Sequence, residues 1–151
     1  METRDTGRRL LIISSEFPPD AGGIGNHAYN LALFFAGEKF RVTVIADQLD
    51  ASSNVANALH SETPFVFKPV QRNSFLPITY LKRVILSVTH AGKHDWIICS
   101  GKFPLWIALI LRLVYRRKKM IAVVHGTELD LKAKWARNLT SKALARFDAI
   151  I

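Results

Sequence analysis

Short unbroken apolar runs alternate along the chain with longer stretches whose apolar residues recur every three or four positions. Residues 10–13, Leu-Leu-Ile-Ile, form a run that suits a central strand covered on both faces, after a short tail reaching Arg9. Residues 28–36 place Ala28, Leu31, Ala32 and Phe35 at helical spacing, and Gly37 follows where a left-handed C-cap is wanted. Residues 41–46 read as a second strand ending at Asp47. The polar stretch 48–63 reads as a loop with one helical turn, and 65–70 as a third strand whose Pro69 places it at an edge or end. Pro77 opens a helix over 78–91, with Leu81, Val84, Ile85 and Val88 as its inward face. A strand follows at 95–99, then a helix over 104–115, apolar nearly all round and therefore expected to be well buried. A strand at 119–124 precedes a helix marked by Leu131, Trp135, Leu139 and Ala143, and 147–151 begins another strand.

This alternation predicts an α/β fold, a doubly wound parallel sheet with Rossmann-like crossovers. At 151 residues it corresponds to one domain spanning 1–151, and the strand reaching Ile151 is expected to continue into a larger protein. In such sheets ligands bind beyond the carboxyl ends of the strands. Two stretches fall on that edge, the glycine loop between the first strand and helix, and the His125-Gly126-Thr127-Glu128 loop.

Composition narrows the choice of partner. The net charge of +9 is concentrated in residues 112–146, which hold ten lysines and arginines against Glu128 and Asp130. That stretch is a set of solvated helix faces or a contact for an anionic surface, a phosphorylated substrate or nucleic acid. Nucleic acid is disfavoured because neither a recognition helix nor an aromatic stacking platform is evident. The one cysteine, Cys99, lies in an apolar run and reads as a buried structural thiol in a reducing compartment. The mixed-charge N-terminus does not resemble a secretory signal, and the apolar run 103–114 is too short to span a bilayer. No phosphate-loop lysine motif, nucleophile elbow or metal-ligand spacing of histidines and cysteines occurs.

The glycine loop, Ser15-Glu16-Phe17-Pro18-Pro19-Asp20-Ala21-Gly22-Gly23-Ile24-Gly25, leads into a helix N-terminus, where unpartnered N–H groups attract anions. Loosely, Gly23-x-Gly25-x-x-Ala28 with Asp47 fits an NAD- or FAD-binding turn of an oxidoreductase, but the two prolines impose a long excursion before the glycines. A non-catalytic α/β binding module is a further alternative.

The same residues, Ser15 through Gly25 with His27-Ala28 and Leu31-Ala32, followed by Val42-Thr43-Val44, resemble the opening of family-4 glycosyltransferases. A second signature of that family, an apolar strand followed by His-Gly-x-Asp/Glu, appears as Val123-Val124-His125-Gly126-Thr127-Glu128. The resemblance implies the N-terminal, acceptor-side half of a GT-B enzyme, whose own C-terminal domain would bind the donor. Such hexosyltransferase-type enzymes transfer a sugar from a nucleoside diphosphate sugar to a glycan or lipid-linked acceptor with retention, generally without a bound metal or other cofactor. By motif, Gly22, Gly23 and Ile24 would approach the donor diphosphate, and His125 the donor sugar, with Gly126 and Thr127 shaping that wall. Glu16, His27 and Glu128 fall on the acceptor side, Glu128 being equally a helix cap. The paired glutamates of the donor-binding half are missing, so the 151-residue chain alone is expected to be inactive. Relatives building cell-envelope glycans rest on the anionic inner membrane leaflet, which makes the basic stretch a candidate peripheral membrane contact of a cytoplasmic protein.

Overall fold

The structure is a computed structural model, and it describes residues 7–20, 22–49, 61–72, 75–126 and 130–151. The expected loop at 48–63 falls largely outside these residues, as do Thr127 and Glu128.

Six parallel strands form one sheet: β1 (Arg9–Ser14), β2 (Arg41–Gln48), β3 (Val66–Gln71), β4 (Trp96–Ser100), β5 (Lys119–Val123) and β6 (Ala149–Ile150). Their order is β3-β2-β1-β4-β5-β6, the doubly wound arrangement expected from the alternation. β1 is at the centre because every residue from Leu10 to Ser14 is buried, and only a strand covered on both faces can be so apolar. Leu10 and Ile12 join one core with Phe17, Ala28 and Ala32, while Leu11 and Ile13 join the other with Leu105, Ala108 and Leu111. β3 is an edge strand, so the missing N–H of Pro69 costs no ladder hydrogen bond on the open side. Cys99 is fully buried in the second core, and burial pushes its thiol pKa up.

The helices with both ends among the described residues are α1 (Gly23–Gly37), α2 (Leu76–Ala91), α3 (Lys102–Val114) and α4 (Lys134–Leu144). The cores put α1 on one face of the sheet and α2, α3 and α4 on the other. Four sequence expectations fail here. α1 begins at Gly23, so the glycines belong to its first turn rather than to a loop ahead of it, and the left-handed residue past its end is Lys39, not Gly37. α2 buries Thr79, Arg83, Ser87 and Ala91, whereas Leu81 and Ile85 of the expected inward face are 61% and 55% exposed. Small residues let α2 approach the sheet, and a charge pair anchors it there. α3 is buried along Pro104, Leu105, Ile107, Ala108 and Leu111, leaving Ile110, Leu113 and Val114 exposed.

Candidate functional site

The carboxyl ends of β1, β4 and β5 lie level, with Ser14 opposite Ser100 and Ser100 opposite Val123. Immediately past β1, Ser15 N–H donates to the Ser100 carbonyl (3.1 Å), which steers the chain across the strand ends. Phe17 then turns inward and is completely buried, stacking on Phe67 at 4.7 Å and meeting Tyr29 and Phe65 edge to face. The proline pair follows, its peptide bond cis, with the Pro18 carbonyl accepting from Gln48 Nε2 (2.9 Å). Asp20 Oδ2 accepts from the Leu49 N–H (2.8 Å). The excursion is thus tied to the end of β2 at two points, and the chain reaches α1 from outside the sheet.

Two glycines make the return possible. A Cβ on Gly25 would lie 3.1 Å from the Phe17 backbone, so α1 can cross this loop so closely only with hydrogen there. A Cβ on Gly22 would overlap the Glu16 carboxylate, which lies against that residue. Around Gly23 there is open space. Among the described residues no side chain caps α1 and no acid occupies its first turn, so the N–H groups there keep their capacity for an external anion.

His125 follows β5 and reaches back along the same edge, its Nε2 2.9 Å from the hydroxyl of buried Ser100. Its ring meets that of His27 edge to face, centroids 5.2 Å apart. Partial burial, aided by His125, lowers the His27 pKa and so favours the neutral imidazole. His27 sits in the second turn of α1, which begins ahead of the predicted 28–36. Gly126 adopts a φ of +91°, a conformation that favours glycine and turns the chain away just past the histidine.

Beside the glycine turn is a polar cavity of about 260 Å³ bordered by Ser15, Glu16, Ile24, Arg72 and Lys102. Its floor holds a pair that sequence reasoning missed. Arg83, from α2, donates through Nε to Asp47 Oδ1 (2.9 Å) and through Nη2 to Oδ2, both side chains being almost wholly buried. Burial raises the Asp47 pKa, and the Arg83 guanidinium beside it opposes that rise. Asp47 had been a candidate ribose ligand of a dinucleotide site. Its carboxylate is instead committed to Arg83.

A family model described as Glycosyltransferase Family 4 matches residues 21–151, nearly the whole chain. The chain belongs to glycosyltransferase family 4. Its fold is shared with the Anabaena protein Alr3699/HepE, solved with UDP and glucose, at a TM-score of 0.66 and 15% identity over 93% of this chain and 36% of that one. LpCGTa, solved with UDP, gives a TM-score of 0.58 at 13% identity, covering 95% of this chain and 45% of that one. L-sorbose reductase from Gluconobacter frateurii, solved with NADPH, gives 0.50 at 14% identity over 93% and 62%. At these identities the likeness is one of fold, and this chain spans only about a third to under two thirds of each protein. A comparison with curated proteins finds no match.

As a family-4 domain the chain keeps the doubly wound, Rossmann-like sheet expected of a GT-B half. The structure brings Gly22, Gly23 and Ile24 to the same edge as His27 and His125, and turns Glu16 against Gly22. Ser100, Arg83 and Lys102 join them. Their only sequence signal was position, Ser100 and Lys102 standing just past an apolar strand on the ligand-binding edge. Arg83 gave none, since nothing local announces a partner in β2.

The basic stretch 112–146 does not act as one surface. Arg112 donates to the Arg146 and Lys118 carbonyls and pairs with Asp148, and Lys118 Nζ donates to the Gly92 carbonyl. These two cations hold the amino-terminal end of β5 in place. Lys134, Arg137 and Lys142 on α4 are exposed.

Proposed function

We propose that this chain is the acceptor-side half of a retaining, hexosyltransferase-type enzyme, moving a sugar from a nucleoside diphosphate sugar to a glycan or lipid-linked acceptor. The observation that supports it is the meeting of the uncapped α1 N-terminus and His125 on one sheet edge, in a family-4 chain. Domain 1–151 would face a C-terminal donor-binding domain across a cleft, and alone it would not turn over.

In this reading the backbone N–H groups at Gly23 and Ile24, with Gly22 keeping the approach open, stabilise the negative charge that develops on the departing diphosphate. His125 hydrogen-bonds a hydroxyl of the donor sugar, its ring orientation fixed through Ser100 and its far side packed on neutral His27. Gly126 and Thr127 shape that wall. Glu16, buttressed by Gly22, faces the acceptor hydroxyl, and Glu128 belongs to the same side or caps the helix beyond. Positioning and charge stabilisation carry the reaction, with no resident metal or cofactor required. The exposed cations of α4 suit a cytoplasmic protein resting on an anionic membrane during cell-envelope glycan synthesis.

The test is sugar transfer by the longer protein, this chain joined to the sequence that follows it, with release of nucleoside diphosphate as readout. His125→Ala is expected to lower kcat about a hundredfold. Ser100→Ala, which frees the histidine without removing it, should cost about tenfold. Full activity in His125→Ala would overturn the assignment, and binding of NADPH in place of a nucleotide sugar would favour an oxidoreductase.

A further inference from the structure

A second cavity adjoins the polar one. Between α2, α3 and α4 runs a groove of about 550 Å³ with almost wholly apolar walls, among them Val84, Trp106, Ile110, Trp135 and Leu139. Tyr80, Arg83 and Phe103 line both the groove and the polar cavity, so the two are neighbours across one shared wall. Of the groove's own walls, Ile110 and Trp135 lie open to solvent, apolar surface that neither core of the fold uses.

The charges are not spread evenly over this surface. Arg72, Arg83 and Lys102 stand at the polar end against two carboxylates, Glu16 and Asp47, and Asp47 is already held by Arg83. The Arg83 guanidinium carbon lies 5.5 Å from the ring centroids of both Tyr80 and Phe103, and its Nη1 is buried with no hydrogen-bond partner among the described residues. Lys102 Nζ lies over Phe103 at 5.0 Å and over Trp106 at 5.8 Å, at the boundary between the polar and apolar halves. A buried guanidinium N–H without an acceptor is costly, and a phosphate oxygen is the acceptor it matches best.

We infer that cavity and groove form one binding surface for a phosphate-headed lipid amphiphile, its head among Arg72, Arg83 and Lys102 and its aliphatic chain along the groove. This rests on the reading above that the glycine-turn edge is the acceptor side, and it narrows the acceptor to an anionic lipid. A folded protein partner fits less well, because among the described lining residues the one charge of the groove, Arg83, stands where the groove meets the polar cavity. The chain-length dependence is large, since each buried methylene is worth about fourfold in affinity.

The experiment titrates the 151-residue chain with decyl phosphate, butyl phosphate and decanol below their aggregation limits, by calorimetry and by the fluorescence of Trp106 and Trp135. Decyl phosphate is expected to bind at least about a hundredfold more tightly than butyl phosphate, the gain of a few buried methylenes. It should also exceed decanol about tenfold or more, the worth of a charged hydrogen bond. Lys102→Gln and Arg72→Gln should each remove most of the advantage over decanol, while Ile110→Glu should bring decyl phosphate down towards butyl phosphate. Equal binding of decyl and butyl phosphate would overturn the role of the groove. Equal binding of decanol and decyl phosphate would overturn the role of the cations and leave an apolar face that protein covers, and binding of none would overturn the whole. The titration needs no sugar donor. Loss of transferase activity in the longer protein therefore tests the proposed reaction, and this result tests the ligand.

Discussion

The two faces of the sheet are built by opposite rules. On the α1 face, apolar periodicity and burial agree: Ala28 and Ala32 are fully buried, Leu31 and Phe35 pack against the same core, and Phe17 closes it. On the other face, α2 and α4 turn polar or small residues inward. Arg83, Ser87 and Thr140 are buried, and the Thr140 hydroxyl accepts from Trp106 Nε1 at 2.9 Å. Leu81, Ile85 and Trp135 point away, Trp135 being 66% exposed. A helical repeat shows that a segment is amphipathic. It does not say which side meets the sheet when small residues allow a closer approach and a buried ion pair fixes it.

The sharpest way to break this comparison is to remove the anchor of each face. Phe17→Ala should cost about 3–5 kcal/mol by opening a cavity in an aromatic cluster, with little dependence on pH. Arg83→Met should cost a similar 3–5 kcal/mol at neutral pH, because it strands a buried carboxylate. The two differ in acid. Burial already raises the Asp47 pKa above its ordinary 3.8, and losing the opposing guanidinium raises it further. Folded protein then holds that proton more tightly than unfolded protein, so the contribution of Asp47 to stability falls as pH rises from about 4 through the raised value. Urea unfolding should show the Arg83→Met deficit shrinking as pH is lowered from 7 towards 4.5, while the Phe17→Ala deficit stays level. A deficit independent of pH in Arg83→Met would mean that packing, not charge, anchors α2.

A middle-sized effect tests the glycine crossing. Gly25→Ala places a methyl about 3.1 Å from the Phe17 backbone, tighter than ordinary contact, with backbone as the opposing partner. Overpacking of this kind costs about 1–3 kcal/mol. Thermal melts of the two variants check this: Gly23→Ala, in open space, should cost little, yet still hinder any diphosphate approaching the helix N-terminus.

The contrast between faces also marks how far the residues could be read directly. Strands such as 10–13 and 95–99 were legible to within a residue, because a run buried on both faces admits one interpretation. The glycine turn and His125 were legible as neighbours, because parallel strands place all their outgoing loops on one edge. Asp47 was visible only as part of a loose dinucleotide match, since its partner Arg83 lies 36 residues away on a helix whose local pattern points elsewhere. Long-range charge pairing leaves no periodic trace. Arg83 also lines the apolar groove, so missing its inward turn meant missing the groove beside it.

The smallest expected effect discriminates best, because apolar residues on a core-facing side cannot be replaced cheaply. If the outward face of α2 is a surface, Leu81→Gln and Ile85→Gln should each change stability by no more than about 0.5 kcal/mol, as substitutions away from packed features do. Had the periodic reading been correct, each would have emptied a core position and cost about 2–5 kcal/mol. A urea series on the double variant separates these outcomes by several times the error of the method. Near-neutral stability would assign the residues to the open surface of α2. A large loss of stability would instead return α2 to the orientation its apolar pattern suggests, and would remove the groove with it.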